Sequence, residues 1–426
     1  MVSRNAGLLK DYMEEIKVRC CIVGGGPAGM MLGFLLARAG VHVLVLEKHA
    51  DFLRDFRGDT VHPSTLEMLH EIGLLEDFLK RPHQKVERGA VQIGQQTLSI
   101  ADFTHLPTQA KFIAFMPQWH FLDFVAEQGR AYPEFQLQMQ TEVVGLIEEE
   151  GKVVGVRARG PKGELLVHAD LVVGTDGRHS IVREKADLKI MDKGAPMDVL
   201  WMRISREKND PEQSLGRVDS GRILVMINRD EYWQCGYVVP KGTAEQIKAL
   251  GIERFREELV RLVPNFRGRV DALKSWNDTS LLTVKVDRLE CWYKPGLICI
   301  GDAAHAMSPI GGVGINLAVQ DAVAAANILA APLAAGPVPV SVLRQVQRRR
   351  EFPTRVTQGM QVLVQNRVIS RVQAAEKTLE VPTILKLMQR WPILRRIPAR
   401  AIGLGVRPEH VKTPENYQHY KSAVSL

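Results

Sequence analysis

Three short stretches carry residues whose types and spacing could do chemistry. Gly24, Gly26 and Gly29 fit G-x-G-x-x-G. The first glycine permits a tight turn, the second lets backbone approach a pyrophosphate, and the third lets helix and strand pack closely. Pro27 and Ala28 lie inside that turn, where a helix N-terminus offers free N–H groups and partial positive charge to phosphates. Glu47 follows the glycines at about the 20-residue spacing that suits ribose hydroxyls, with Lys48 beside it. The second stretch, Ala169 to Arg183, runs an apolar strand into Gly174-Thr175-Asp176-Gly177. An acid there can meet a ligand at the carboxyl edge of a parallel sheet, or it can simply cap the following turn. The third stretch, Gly296 to Leu329, holds Gly301-Asp302, then Pro309 and the Gly-rich run Gly311, Gly312, Gly314, Ile315 and Asn316. Gly-rich backbone before a helix N-terminus favours negative charge. His305 reads as a catalytic residue or as a structural or cofactor-adjacent one, the latter favoured because the sequence shows no carboxylate or thiol paired with it.

The elements that must position these residues follow from periodicity. Val18–Val23 reads as a buried strand, Met30–Ala39 as a helix and Val41–Leu46 as the next strand. Ser64 could cap a helix over Thr65–Lys80, with Glu67 completing a capping box. Short strands are expected over 86–115. Pro117-Gln118 precedes a helix at Phe121–Gln128, and 141–173 reads as a hairpin ending in a buried strand. Arg222–Asn228 and Glu231–Val239 form an antiparallel hairpin rich in Trp, Tyr and Met. Its aromatics are either the floor of a pocket for a flat apolar substrate or ordinary sheet core. Tyr232, Tyr237, Gln234, Arg203 and Arg222 are candidates there by location. A helix is expected over Thr243–Leu262 and a strand over Leu281–Val286.

Composition narrows the class. The 426 residues carry a net charge of +8, but unevenly. Ser341–Lys412 holds 15 Lys or Arg against 4 Asp or Glu, a net +11, and 413–426 balances, so the first 340 residues carry −3. The main body is therefore not read as a nucleic-acid binder. The five cysteines show no metal spacing, and their odd number suits reduced thiols in the cytoplasm. Asp11, Glu14 and Glu15 argue against a signal peptide. No uncharged apolar run of about 20 residues predicts a spanning helix.

Together the three stretches resemble the group A flavoprotein aromatic hydroxylases, the family of para-hydroxybenzoate hydroxylase, over roughly residues 17 to 335. The resemblance implies FAD held by Gly24, Gly26 and Gly29, with Glu47 on the adenosine ribose. Asp176-Gly177 with Ser180 and Arg183 is similar to the family's D-G-x-x-S-x-x-R. Gly301-Asp302 resembles its G-D motif, with Asp302 on the ribityl chain, Pro309 by the isoalloxazine, and the 311–316 amides facing flavin N1 and the C2 carbonyl. Arg57 resembles the family's loop arginine, and Gln118 a flavin-contacting glutamine. Val313 departs from the glutamine of many members. With no second G-x-G-x-x-G, the resemblance implies that NADPH or NADH docks transiently, and that a flavin C4a-hydroperoxide hydroxylates an aromatic or polyketide-like substrate.

The implied fold is α/β: a Rossmann-like FAD-binding domain with a parallel sheet (17–80, 112–190 and 291–340) interleaved with a mixed or antiparallel substrate domain (81–111 and 191–290). A basic helical segment covers 341–412, with tails at 1–16 and 413–426. That segment is either packed on the FAD domain with a solvated basic face or a peripheral contact to anionic lipid. Competing functions are a flavin-dependent reductase of isoprenoids or quinones, a halogenase and a non-catalytic flavin-binding protein. The halogenase W-x-W-x-I-P motif is incomplete at Trp201-Met202-Arg203-Ile204. The chain is expected to be a monomer or homodimer without a metal.

Overall fold

The computed structural model describes residues 14–53, 60–212, 214–219, 221–366 and 381–416. The first strand, Glu14–Val23, is buried at its C-terminal end and pairs in parallel with Val43–Leu46 on one side and Gly163–Gly174 on the other. Phe135–Gln138 and Leu297–Cys299 extend this parallel core outward. Continuous apolar runs, not alternation, mark strands covered on both faces. Helix Pro27–Arg38 covers one face, against the long helix Gly314–Ala335. That 22-residue helix is apolar and long enough to cross a membrane, yet most of it is buried in this core. Its apolarity reflects burial on nearly every side.

A second, seven-stranded sheet runs in the order Thr279–Leu282, Met197–Ser205, Tyr232–Pro240, Arg222–Asn228, Leu215–Asp219, Arg88–Ile93 and Gln96–Asp102. It is antiparallel apart from the pairing of Leu215–Asp219 with Arg88–Ile93. Alternation divides its side chains between two faces. Leu200, Met202, Ile204, Leu224, Trp233 and Cys235 pack on helix Ile252–Leu262. Val199, Trp201, Ile227 and Val238 face the other way, toward Ile310.

Several expected elements are broken by single residues. The helix expected over Thr65–Lys80 is two, Pro63–Glu71 and Leu75–Phe78, interrupted at Gly73 with φ 74°. Ser64 is not its cap: the helix begins at Pro63 after His62, with no side-chain cap. Gly251, at φ 89°, likewise splits Thr243–Leu262 into Ala244–Ala249 and Ile252–Leu262. The 141–173 region is a three-stranded meander, Glu142–Glu149, Lys152–Gly160 and Gly163–Gly174, and the strand expected at Leu281–Val286 is Thr279–Leu282.

Candidate cofactor and substrate site

The first loop is built by close approach of backbones. Gly24 has φ 105°, and a Cβ there would lie 2.7 Å from the Thr175 carbonyl oxygen. A Cβ on Gly29 would sit 2.0 Å from the Gly24 carbonyl oxygen. Neither position tolerates a side chain. Thr175 stitches the first two motifs together: its hydroxyl donates to the carbonyls of Val23 and Gly24 at 2.9 and 2.7 Å. At Gly26, by contrast, the nearest atom to an added Cβ is 4.0 Å away. Gly26 caps helix Pro27–Arg38 without a side-chain hydrogen bond and with no acid in the first turn. The first amides of that helix therefore have no side-chain acceptor, an arrangement suited to an anion. Glu47, at the end of Val43–Leu46, accepts from the Gly25 amide at 2.9 Å and lies against the His49 ring. Lys48 is exposed.

Asp176 does part of what each reading asked. Its Oδ2 accepts from the Val182 amide at 3.2 Å. Its Oδ1 is buried with no hydrogen-bond partner among the described residues. Burial pushes this carboxyl up from its ordinary range, so a donor on a bound ligand would relieve a real cost. Gly177 turns the chain at φ 83°, and Ser180 caps the next helix through the Arg183 amide at 3.0 Å. Arg183 is buried and donates to the carbonyls of Arg178 and Ala303 at 2.5 and 3.4 Å. It thereby ties the second motif to the third.

Gly301, at φ 59°, sits where the first and third motifs meet: an added Cβ would be 3.1 Å from the Ala28 Cβ and 3.3 Å from that of Ala318. Asp302 follows, half-buried, in a 3-10 turn whose other two residues are buried. Past Pro309, Gly311 and Gly312 adopt φ 77° and 63°. Asn316 locks the loop: its amide donates to the carbonyls of Thr60 and Gly312 at 3.2 and 3.3 Å. Its oxygen accepts from the His62 amide and the Thr65 hydroxyl, both at 2.8 Å. Gly314 and Ile315 begin the long helix, which has no side-chain cap, no acid in its first turn and open space at Gly314. Two uncapped helix starts and one unsatisfied buried carboxylate thus converge on the carboxyl edge of one parallel sheet. These residues fit an elongated, doubly anionic nucleotide cofactor such as FAD. Gln118 opens helix Gln118–Gly129 and is half-buried. Arg57 lies outside the described residues.

The structure divides the candidates on the second sheet. Tyr237 packs edge-on against Phe255 at 5.4 Å, on the face turned to helix Ile252–Leu262, and Arg222 pairs with Glu258 of that helix. Tyr237 and Arg222 therefore point away from the 309–316 loop, a correction to their choice by location. Tyr232 is on the loop-facing side, but at the end of its strand opposite Ser205, with the Arg203 guanidinium 5.1 Å from its ring centroid. The surface that does meet the loop is apolar: Val199, Trp201, Ile227 and Val238 with Ile310. Gln234 adds a buried polar group to that same face, accepting from Arg229 Nε at 3.2 Å.

Two features were not legible. His305 does have a carboxylate: its Nε2 lies 2.5 Å from Oδ2 of the fully buried Asp321, sixteen residues on. Burial opposes ionisation of Asp321, but His305 and Arg350 outweigh it and hold the carboxyl below its ordinary range. A lone acid in an otherwise apolar helix was the available signal. The second is the C-terminal segment. Helix Val340–Val364 packs on Gly314–Ala335 and buries Arg350 completely. The Ile402 carbonyl accepts from His62 Nδ1 at 2.8 Å, and Ile402 reaches Gly311 of the loop. Burial pulls His62 from 6.5 to about 4, so its imidazole is neutral.

Known proteins bear on this geometry. The chain is 33% identical over 401 residues to a 6-methylpretetramide 4-monooxygenase of Streptomyces rimosus, covering 92% of this chain and 94% of that one. It is 30% identical to a rifampicin monooxygenase of Streptomyces venezuelae, over 71% of this chain and 61% of the relative. Among solved structures, p-nitrophenol 4-monooxygenase from Pseudomonas putida superposes with a TM-score of 0.72 at 22% identity, covering 91% of this chain and 98% of that one. A myxobacterial chondrochloren halogenase matches as well, at 0.72 and 20%, covering 91% and 92%; at such identities these likenesses show the fold alone. The model of the FAD binding domain family matches residues 17–360, and this chain, with its three motifs on one sheet edge, belongs to that family.

Proposed function

We propose that the chain is an FAD-dependent, NAD(P)H-consuming monooxygenase that hydroxylates an aromatic or polyketide-like small molecule. The observation that carries this is the apolar sheet face of Val199, Trp201, Ile227 and Val238 set against the Gly-rich loop at Ile310. Bound FAD supplies electron transfer and oxygen activation; the protein supplies position and shielding. The amides at Gly26–Gly29 would hold the pyrophosphate, Glu47 the adenosine ribose, and Asp176 and Asp302 the remaining hydroxyl-bearing chain. The amides of Gly312, Gly314 and Ile315, with the helix dipole behind them, would stabilise negative charge on the reduced ring. The apolar face would exclude water. NADPH or NADH is the proposed donor. The five cysteines are all unpaired, four of them buried, in keeping with a reducing cytoplasm. We assign the division into FAD and substrate domains to the two sheets.

The purified protein should show flavin absorbance bands that bleach on anaerobic NADPH addition and return with air. A colourless protein that cannot be reconstituted with FAD overturns the reading. Substrate-dependent NADPH oxidation with stoichiometric oxygen uptake separates a hydroxylase from a reductase.

A second reading, peripheral attachment to anionic lipid near a lipophilic substrate, is favoured by one surface. Residues 381–408 contain six Lys or Arg and no acid. Trp391, Ile393 and Ile397 are 56%, 63% and 68% exposed there, beside exposed Arg390 and Arg396. Such a mixture suits an interface of acyl chains and anionic headgroups. Co-sedimentation with phosphatidylglycerol vesicles at low salt, lost in the I393D/I397D variant, is expected. No pelleting of the wild-type chain sinks the lipid reading and leaves the hydroxylase reading untouched.

A further inference from the structure

The Gly301–Asp302 turn is held from outside the flavin motifs. Asp321, two turns into the apolar helix Gly314–Ala335, is fully buried. Its Oδ2 accepts from the Gly301 amide at 3.1 Å and from His305 Nε2 at 2.5 Å. Its Oδ1 accepts from Arg350 Nε at 2.8 Å. Arg350, itself fully buried, also donates to Glu409 at 3.1 Å, and Glu409 accepts from Arg349 at 2.7 Å. Two acids and two arginines therefore balance across helix Gly314–Ala335, helix Val340–Val364 and the C-terminal segment.

Packing does not require this arrangement. A buried ion pair is often no more stable than well-packed apolar residues of similar volume. What a carboxylate does here, and a leucine could not, is accept from the amide immediately before Asp302. The carbonyl of Gly301 is held as well, by the amides of Ala304 and His305, each at 2.9 Å. With Ala28 and Ala318 closing the space around its Cα, both polar groups of Gly301 are fixed. The side chain of Asp302 is then aimed by a turn that cannot rotate.

We infer that Asp321 is the positioning residue of the Gly301–Asp302 turn, and that Arg350 and Glu409 hold it there, so that the C-terminal segment belongs to the cofactor site. The inference rests on the flavin reading given above. His305 is a donor in the same network, its Nε2 proton directed at Asp321.

The experiment compares two charge-balanced variants of the full chain, D321N/R350M and D321L/R350M. Each is stripped of FAD and titrated back, with flavin fluorescence and midpoint potential as readouts. Asparagine still offers Gly301 an oxygen; leucine does not. The expected result is near wild-type FAD affinity in D321N/R350M. In D321L/R350M we expect affinity at least tenfold weaker and a shifted potential, at similar thermal stability. Equal affinity and potential in the two would overturn the proposal, because a merely structural acid would be replaced by either. Should the leucine variant fail to fold, amide hydrogen exchange in D321A/R350M, which likewise offers Gly301 no oxygen, carries the test. Faster exchange confined to residues 300–305 is expected, and wild-type protection there would overturn it. Wild-type chain that binds no FAD would overturn this inference together with the flavin reading; wild-type binding with identical variants overturns this inference alone.

Discussion

At the scale of single residues, the site is defined by polar groups left with something to do. Asp176 keeps one buried oxygen without a partner among the described residues, and its replacement should affect cofactor chemistry more than folding. In D176N we expect flavin reduction by NADPH slowed at least about tenfold, since pairing to an ionised group contributes more than to a neutral one, with the thermal midpoint nearly unchanged. Stopped-flow reduction at the wild-type rate would contradict this. His62 makes a different kind of prediction. Its folded value of about 4 lies below the unfolded 6.5, so the unfolded state binds more protons between those values. Its neutral form therefore supports stability above pH 6.5, and that support is lost as pH falls toward 4, by roughly 3 kcal/mol in all. Urea midpoints measured from pH 7.5 to 5 should fall more steeply for wild type than for H62Q; parallel curves would show that His62 does not contribute.

At the scale of elements, glycines and single ion pairs decide where helices stop and how sheets are backed. Gly73 and Gly251 break runs whose apolar periodicity continues through them, because a positive φ ends a helix regardless of the pattern on either side. The second sheet is strapped by Asp210, which accepts from Arg269 at 2.5 and 3.0 Å and from the Trp233 indole at 3.0 Å. Burial opposes the charge on Asp210, but Arg269 and Trp233 outweigh it and hold the carboxyl at about 2. Removing one partner leaves a buried cation, so D210A should lose about 3–5 kcal/mol, read as a lowered denaturation midpoint with the absorbance of bound flavin retained. The stabilisation by Asp210 is present above its unfolded value and disappears as pH falls toward 2.

At the scale of the molecule, the C-terminal segment closes the site as well as carrying its charge. Ile402 holds His62, Glu409 holds Arg350, and Asn327 donates to the His410 carbonyl at 2.8 Å. A chain ending at residue 380 should therefore fail to retain FAD on gel filtration, although every motif glycine remains. Retention of stoichiometric FAD would show that the segment is only an appendage. For the same reason the lipid question is put to surface substitutions: a truncation would remove the binding face and disturb the flavin loop together.

Much of this protein was determined by local sequence. The loop at Gly24–Gly29, the acid after the second strand and the Gly-rich run before a small-residue helix follow from short-range rules, since each depends on backbone conformation within a few residues. The α/β class and a dinucleotide site were legible from them, and the flavin only through the family that they resemble. Only tertiary structure decided which face of the second sheet meets the loop, because a period of two sorts side chains into two sets without saying which set lies inside. Tyr237 and Arg222 fell on the helix side for that reason. Nor could spacing disclose that Asp321 pairs with His305 and with Arg350, twenty-nine residues further on, or that an arginine in a strongly basic segment is wholly buried. Net charge describes a segment, whereas burial of one guanidinium depends on the two acids that two other elements bring to it.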